Sequence, residues 1–191
     1  MIDMTPACVR TADLLHDVRD DQLSGATPCA GMSVAALVSH LGGLASAFAA
    51  AAGKRFGELT NTPPEVSEEL DADWRSAYPR RLAELAAAWR EPGAWEGMSR
   101  AGGIDFPADV GGMIALTEVV VHGWDLARAT GQPYGVTDEI LEAVLPHVAA
   151  FAEQGPVEGL FAAPVPVAED APLLDRVVAL TGRNPAWSGW A

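Results

Sequence analysis

Positive charge is scarce in this sequence. Lysine occurs once, at Lys54, and eleven arginines bring the cations to only 12 against 26 Asp and Glu, a formal charge of −14. Nucleic-acid affinity comes largely from neutralising phosphates with Lys and Arg. The balance therefore argues against a nucleic-acid partner and, on the same ground, against anionic membrane surfaces. Cysteine is nearly missing too. Cys8 and Cys29 are too few for a disulfide framework, and nothing else points to an oxidising compartment. The first residues, MIDMTP, have neither the basic region nor the apolar core of a signal peptide. A long strongly apolar run is also wanting. Residues 22–53 carry no Asp, Glu, Lys or Arg, but nearly half of them are Ala or Gly, and they include Pro28, Gly42 and Gly43 and hold His40 near the middle. Alanine contributes little to membrane insertion, so the stretch reads as a buried helix of a soluble, cytoplasmic protein. No glycine-rich phosphate loop, nucleophile elbow or paired-cysteine zinc pattern occurs, which lowers the standing of nucleotide, phosphoryl-transfer and zinc-finger functions.

What is present is apolar and helical in rhythm. Hydrophobic residues make up 49% of the 191 and charged residues 20%, too apolar a mix for disorder and a length that suits one domain. Cys8, Ala12, Leu15 and Val18 recur at helical spacing in a first helix from about Thr5 to Val18. Ser33 is an N-cap for a second helix, whose stripe is Val34, Leu37, Leu41, Leu44 and Phe48 and whose stop is Gly53. A connecting loop from Lys54 to Pro64 follows. A third helix is expected from Val66 to Trp89, kinked at Pro79 or split there into two abutting helices. Residues Ala94 to Val110 are glycine-rich and could hold a short extended pair. A fourth helix runs from Gly111 to Ala129 with Gly131 as its stop, and a fifth from the cap Thr137 to Glu153. Pro156, Pro164, Pro166 and Pro172 forbid regular helix in the next segment, which is expected to cross the body in extended form before a last helix from Leu173 to Thr181. The expected architecture is mainly α: a four-helix bundle over 1–154, with a proline-containing tail and short terminal helix over 155–191 packed on it as one domain.

The fourth helix carries the chemistry. Between Val110 and Ala127 its only ionisable residues are Glu118, His122 and Asp125. At about 100° per residue these fall within an arc of roughly 60°, with apolar residues around nearly all the rest. Glu118 and His122, four apart, stand one above the other. That spacing lets two helical side chains share a metal ion. His40, at the edge of the second helix's apolar stripe, completes a set of two imidazoles and one carboxylate suited to zinc or another first-row divalent ion. Three protein ligands leave a coordination position open, as in catalytic sites. The same residues also read as a boundary histidine and a solvated strip, and Val119 to Val121 allow a strand. Spacing permits a metal site without requiring one. Asp125 could orient a ligand from behind or pair with Arg128 at i+3; a structural role is the favoured one. Trp124 points away from the arc into the core. Cys29 lies in a turn, His16 at an exposed edge, and His147 has no evident partner.

Three stretches carry a family resemblance: EVVVHGWDLARATG at 118–131, TPCAGMSVAALVSHL at 27–41 and DRVVALTGRNPAW at 175–187. In that order they resemble the DinB-like metal-binding proteins common in actinobacteria, related to the N-terminal domain of mycothiol-dependent maleylpyruvate isomerase. An alanine-rich chain with arginine in place of lysine is in keeping with a GC-rich genome of that kind. The resemblance implies a DinB-like four-helix bundle and a divalent ion, most often zinc, with nickel, iron or manganese as alternatives, held by His40, Glu118 and His122. It also implies a low-molecular-weight thiol such as mycothiol as cofactor, a small-molecule substrate, and compatibility with a homodimer. Maleylpyruvate isomerase relatives carry a further C-terminal domain, and the residues after Gln154 are too few for it, so the isomerase reaction itself is not carried over. The leading expectation is a thiol-dependent transferase or isomerase acting on a small electrophile. The alternatives are a metal-dependent hydrolase, for which Asp125 would have to serve as base, and a non-catalytic, metal-stabilised binding or regulatory bundle.

Overall fold

The computed structural model describes residues 1–156 and 161–189. The part of the expected extended tail at 157–160, and the final two residues, lie outside the described residues. Among the described residues seven α-helices and one hairpin follow in order: α1 Thr5–Asp17, α2 Val34–Ala52, α3 Glu58–Asn61, α4 Trp74–Trp89, β1 Met98–Ala101, β2 Ile104–Pro107, α5 Ala108–Thr130, α6 Asp138–Gln154 and α7 Leu173–Leu180. Their ends sit where local chemistry puts them. Pro6 occupies the first turn of α1, where a missing N–H costs nothing. The Ser33 hydroxyl accepts from the Ala36 N–H at 3.1 Å to start α2. Gly131, in the left-handed region at φ 72°, closes α5 by donating its N–H to Ala127.

Helices α1, α2, α4 and α5 pack against one another as the bundle, while α6 lies against α5 and α7. Leu37, Leu41, Leu44, Leu82, Leu85 and Leu116 are wholly or almost wholly buried between the four helices. The alanines and glycines of α2 allow close approach. A Cβ on Gly42 would lie 2.7 Å from the Tyr78 ring of α4, so only glycine fits that crossing. α2 is long and apolar enough to span a membrane, but 78% of its most apolar window is buried within the fold. It is a core helix.

Two expectations change. The helix expected to begin at Val66 begins at Trp74. Residues 66–73 concentrate Glu68, Glu69, Asp71 and Asp73 with no apolar stripe to bury, so their carboxylates serve as surface acceptors instead: Glu68 from the Ser33 hydroxyl, Asp71 from Tyr78 and Arg81. Pro79 lies in the second turn of one continuous helix, so of the kink and the split expected there it is the split that is overturned. The loop after α2 also holds the single-turn α3. The extended pair forms a two-stranded antiparallel hairpin turning through Gly102 and Gly103, both at positive φ as a two-residue turn demands. Ser99 anchors it to the end of α2 by donating to the Ala51 carbonyl at 2.8 Å.

The chain after the tail returns to the bundle. The Val165 N–H donates to Ala179 at 2.9 Å, binding part of the tail alongside α7. Gly182 then reverses direction at φ 83°, so close to Ala162 that a Cβ would lie 2.6 Å from it. The next residue, Arg183, is thereby directed inward, and it is only 6% exposed.

Candidate metal centre

α5 is buried on almost every side because its apolar residues surround the arc identified in the sequence. Val119, Val120, Leu126 and Ala127 are fully buried, and Trp124 lies in the core as expected. The helical repeat stacks Glu118 and His122 on its remaining face, and α2, crossing alongside, brings His40 to the same point. The Glu118 Oε2 atom lies 3.1 Å from His122 Nε2 and 3.4 Å from His40 Nε2. The two imidazoles meet edge to face, with ring centres 4.9 Å apart. All three side chains are largely buried. His40 Nδ1, buried as well, has no hydrogen-bond partner among the described residues.

These spacings bear on whether an ion fits. Bonds of about 2.0–2.2 Å from zinc to nitrogen or oxygen set neighbouring donors about 3.0–3.5 Å apart, and both measured separations fall in that interval. The donor set is chemically suitable, since imidazole and carboxylate together serve zinc and other first-row ions. Each nitrogen faces the carboxylate with the atom that would have to bind.

Behind His122 lies a second layer. The ring's other nitrogen, Nδ1, is 2.9 Å from Asp125 Oδ2. Asp125 is completely buried and receives Arg183 on both oxygens, Nη2 to Oδ2 at 3.1 Å and Nε to Oδ1 at 3.3 Å. Arg183 Nη1 donates in addition to the Thr181 carbonyl at 3.1 Å. Asp125 thus pairs across the fold with Arg183. Arg128 turns outward, stacking on Trp124 and donating to the Pro185 carbonyl. A carboxylate on Nδ1 fixes the ring's orientation and directs Nε2 toward Glu118.

Charge in the cluster follows from these contacts. Burial opposes ionisation of Glu118, but the contacts with His122 and His40 outweigh it and hold the carboxyl far below its ordinary range. Burial also disfavours a charged His122. Asp125 and Glu118, one at each nitrogen, override it and raise the ring to about 9. The two carboxylates thus draw positive charge onto the His122 ring that lies between them.

Three other residues stand close by without having been assigned from sequence. Cys29, in the turn before α2, is part of a group with His122 and Asp125 whose donor atoms all lie within 4.8 Å of one another. Arg183 figured only inside a resembling stretch, since nothing local announces a partner 58 positions away. His147 on α6 packs edge-on against Phe151 and is close enough to feel the Glu118 carboxylate, although burial, the larger influence, lowers its pKa. His16 is exposed, as expected.

Residues 4–127 match the family model described as the mycothiol maleylpyruvate isomerase N-terminal domain. Two uncharacterized proteins of Mycobacterium tuberculosis, from strains CDC 1551 and H37Rv, are each 30% identical over 177 residues, covering 91% of this chain and 91% of the relative. Among solved structures, the crystal structure of the mycothiol-dependent maleylpyruvate isomerase superposes with a TM-score of 0.57 at 19% identity, and a histidine-to-alanine mutant of that enzyme with 0.55 at 21%. Each superposition covers 86% of this chain and 80% of the other.

Proposed function

Because the chain belongs to the mycothiol maleylpyruvate isomerase N-terminal domain family, we propose that it binds one divalent ion, zinc by its donor set, through His40, Glu118 and His122, and works with a low-molecular-weight thiol of the mycothiol class. The reaction is transfer to, or isomerisation of, a small electrophile in the cytoplasm. When bound, such an ion supplies a lowered pKa to a coordinated thiol. The protein's own residues do the rest. His40 and His122 present Nε2 from two different helices, Glu118 supplies the anionic donor between them, and Asp125 holds His122 from behind. The α2 and α5 walls keep the group largely out of water, where electrostatic interactions are strongest. The single observation carrying this reading is that one carboxylate oxygen, Glu118 Oε2, lies within 3.4 Å of both imidazole nitrogens.

A hydrolytic reading has less support. It needs a free general base, and Asp125 has its oxygens engaged by Arg183 and His122 while fully buried. A non-catalytic bundle would use the ion for stability alone.

Metal analysis of protein purified without a nickel column tests the proposal. About one ion per chain is expected in the parent and almost none in His40→Ala or His122→Ala; a parent without metal overturns it. Turnover of test electrophiles only in the presence of added thiol separates the thiol reading from hydrolysis, and no thiol binding to the metal-loaded protein favours the non-catalytic one.

A further inference from the structure

Two donor sets share His122. One is His40, Glu118 and His122; the other is Cys29, His122 and Asp125, and in each the donor atoms lie within 4.8 Å of one another. The ring serves both, turning Nε2 to Glu118 and Nδ1 to Asp125. Judged by ligand chemistry alone, the second set competes well. Thiolate, imidazole and carboxylate are all zinc ligands, and a thiolate favours soft and borderline ions.

What separates the two is a charge already in place. The Arg183 guanidinium lies on both oxygens of Asp125 and is almost wholly buried. Its field also reaches Cys29, whose thiol burial pushes up and Arg183 pulls down. On the other side of the ring, the polar contacts of Glu118 among the described residues are the two imidazoles. A divalent ion approaching Nδ1 meets the Arg183 cation at contact range in a poorly screened interior, whereas one approaching Nε2 meets it only at longer range, where Arg183 feels Glu118 without touching it.

We propose that Arg183 is a resident cation that closes the Cys29–His122–Asp125 group to metal and so confines the ion to the Nε2 side of His122. This rests on the metal reading above and adds to it the choice between two sites. Arg183 acts as a positioning residue in two ways. It satisfies Asp125, which then holds Nδ1, and it occupies the space and charge that a second ion would need. Its placement depends on the turn at Gly182, where the left-handed backbone and the close approach to Ala162 aim the following side chain inward.

Cobalt(II) makes the choice visible, because thiolate ligation adds a charge-transfer absorption in the near ultraviolet that imidazole and carboxylate do not. The parent, titrated with cobalt, is expected to take about one ion per chain without this band. Arg183→Met keeps the stem and removes the charge; it should gain the band, and the double variant Arg183→Met with Cys29→Ser should lose it again. Arg183→Lys, which restores a cation, should behave as the parent does. Cys29→Ser alone leaves the buried ion pair untouched and must leave the cobalt spectrum and stoichiometry unchanged, a check that holds even if Arg183→Met does not fold. A thiolate band in the parent, a spectral change in Cys29→Ser, or a folded Arg183→Met with the parent's spectrum overturns the proposal while leaving the metal reading standing. A parent that takes up no cobalt overturns both.

Discussion

The two sides of the His122 ring are built from different kinds of structure. Toward Nε2 the wall consists of two long helices, with Glu118 one turn away on α5 and His40 on α2. Toward Nδ1 it is Asp125, covered by a turn before α2 that carries Cys29 and a turn after α7 that carries Arg183. Both sides present a buried carboxylate, yet only one of those carboxylates is matched by a permanent cation. Burying a charge without a partner is costly. Asp125 therefore has its partner built in, and Glu118 is left with two imidazoles whose lone pairs can be shared with an ion. The contrast teaches that similar ligand types become different sites through what stands behind them.

The largest effect should come from the helical side. Glu118→Gln keeps the shape and removes the anionic donor, and the protein should lose its metal altogether, as read by metal analysis after dialysis; retention of one ion would show that this carboxylate is not the centre of the site. The next largest belongs to the turn side. Arg183→Ala leaves the fully buried Asp125 carboxylate with His122 alone against it and should lower stability by about 3–5 kcal/mol in urea unfolding, whereas removing both charges together with Asp125→Asn and Arg183→Met should recover a good part of it. Asp125→Asn by itself should weaken metal affinity about 10–100-fold by loosening the hold on Nδ1, measured by competition with a chelator. The smallest effect tests how firmly α2 presents His40. Ser33→Ala removes the hydroxyl that caps the helix and should cost about 1 kcal/mol, with little change in metal content, because His40 sits well inside a buried helix.

Much of the helical side was legible in advance. Helix ends announce themselves through local chemistry, as at Ser33, Gly53 and Gly131, and the narrow polar arc of α5 follows from counting residues around a wheel. Where local signals and burial disagree, the reading slips. The acidic run at 66–73 has helical residues but no face to bury, and the helix waits until Trp74. Pro79 raised the prospect of a break, yet the rest of the helix is held by packing of Leu82, Leu85 and Trp89. For Asp125 the sequence offers Arg128, three residues on, as a partner beside the role of orienting a ligand, because proximity along the chain is the only kind a sequence displays. Its partner proved to be Arg183, and Arg128 lies at the surface over Trp124.

Periodicity and capping are short-range properties, written in stretches of a few residues, and from them alone came the helical class, the stacking of Glu118 over His122 and the polar edge at His40. Which helices touch, which way each ring turns, and which cation reaches a buried carboxylate depend on contacts between distant parts of the chain. Those were decided by close packing: glycine at the α2–α4 crossing, the return of the tail along α7, and a reversal at Gly182 that carries a guanidinium into the core.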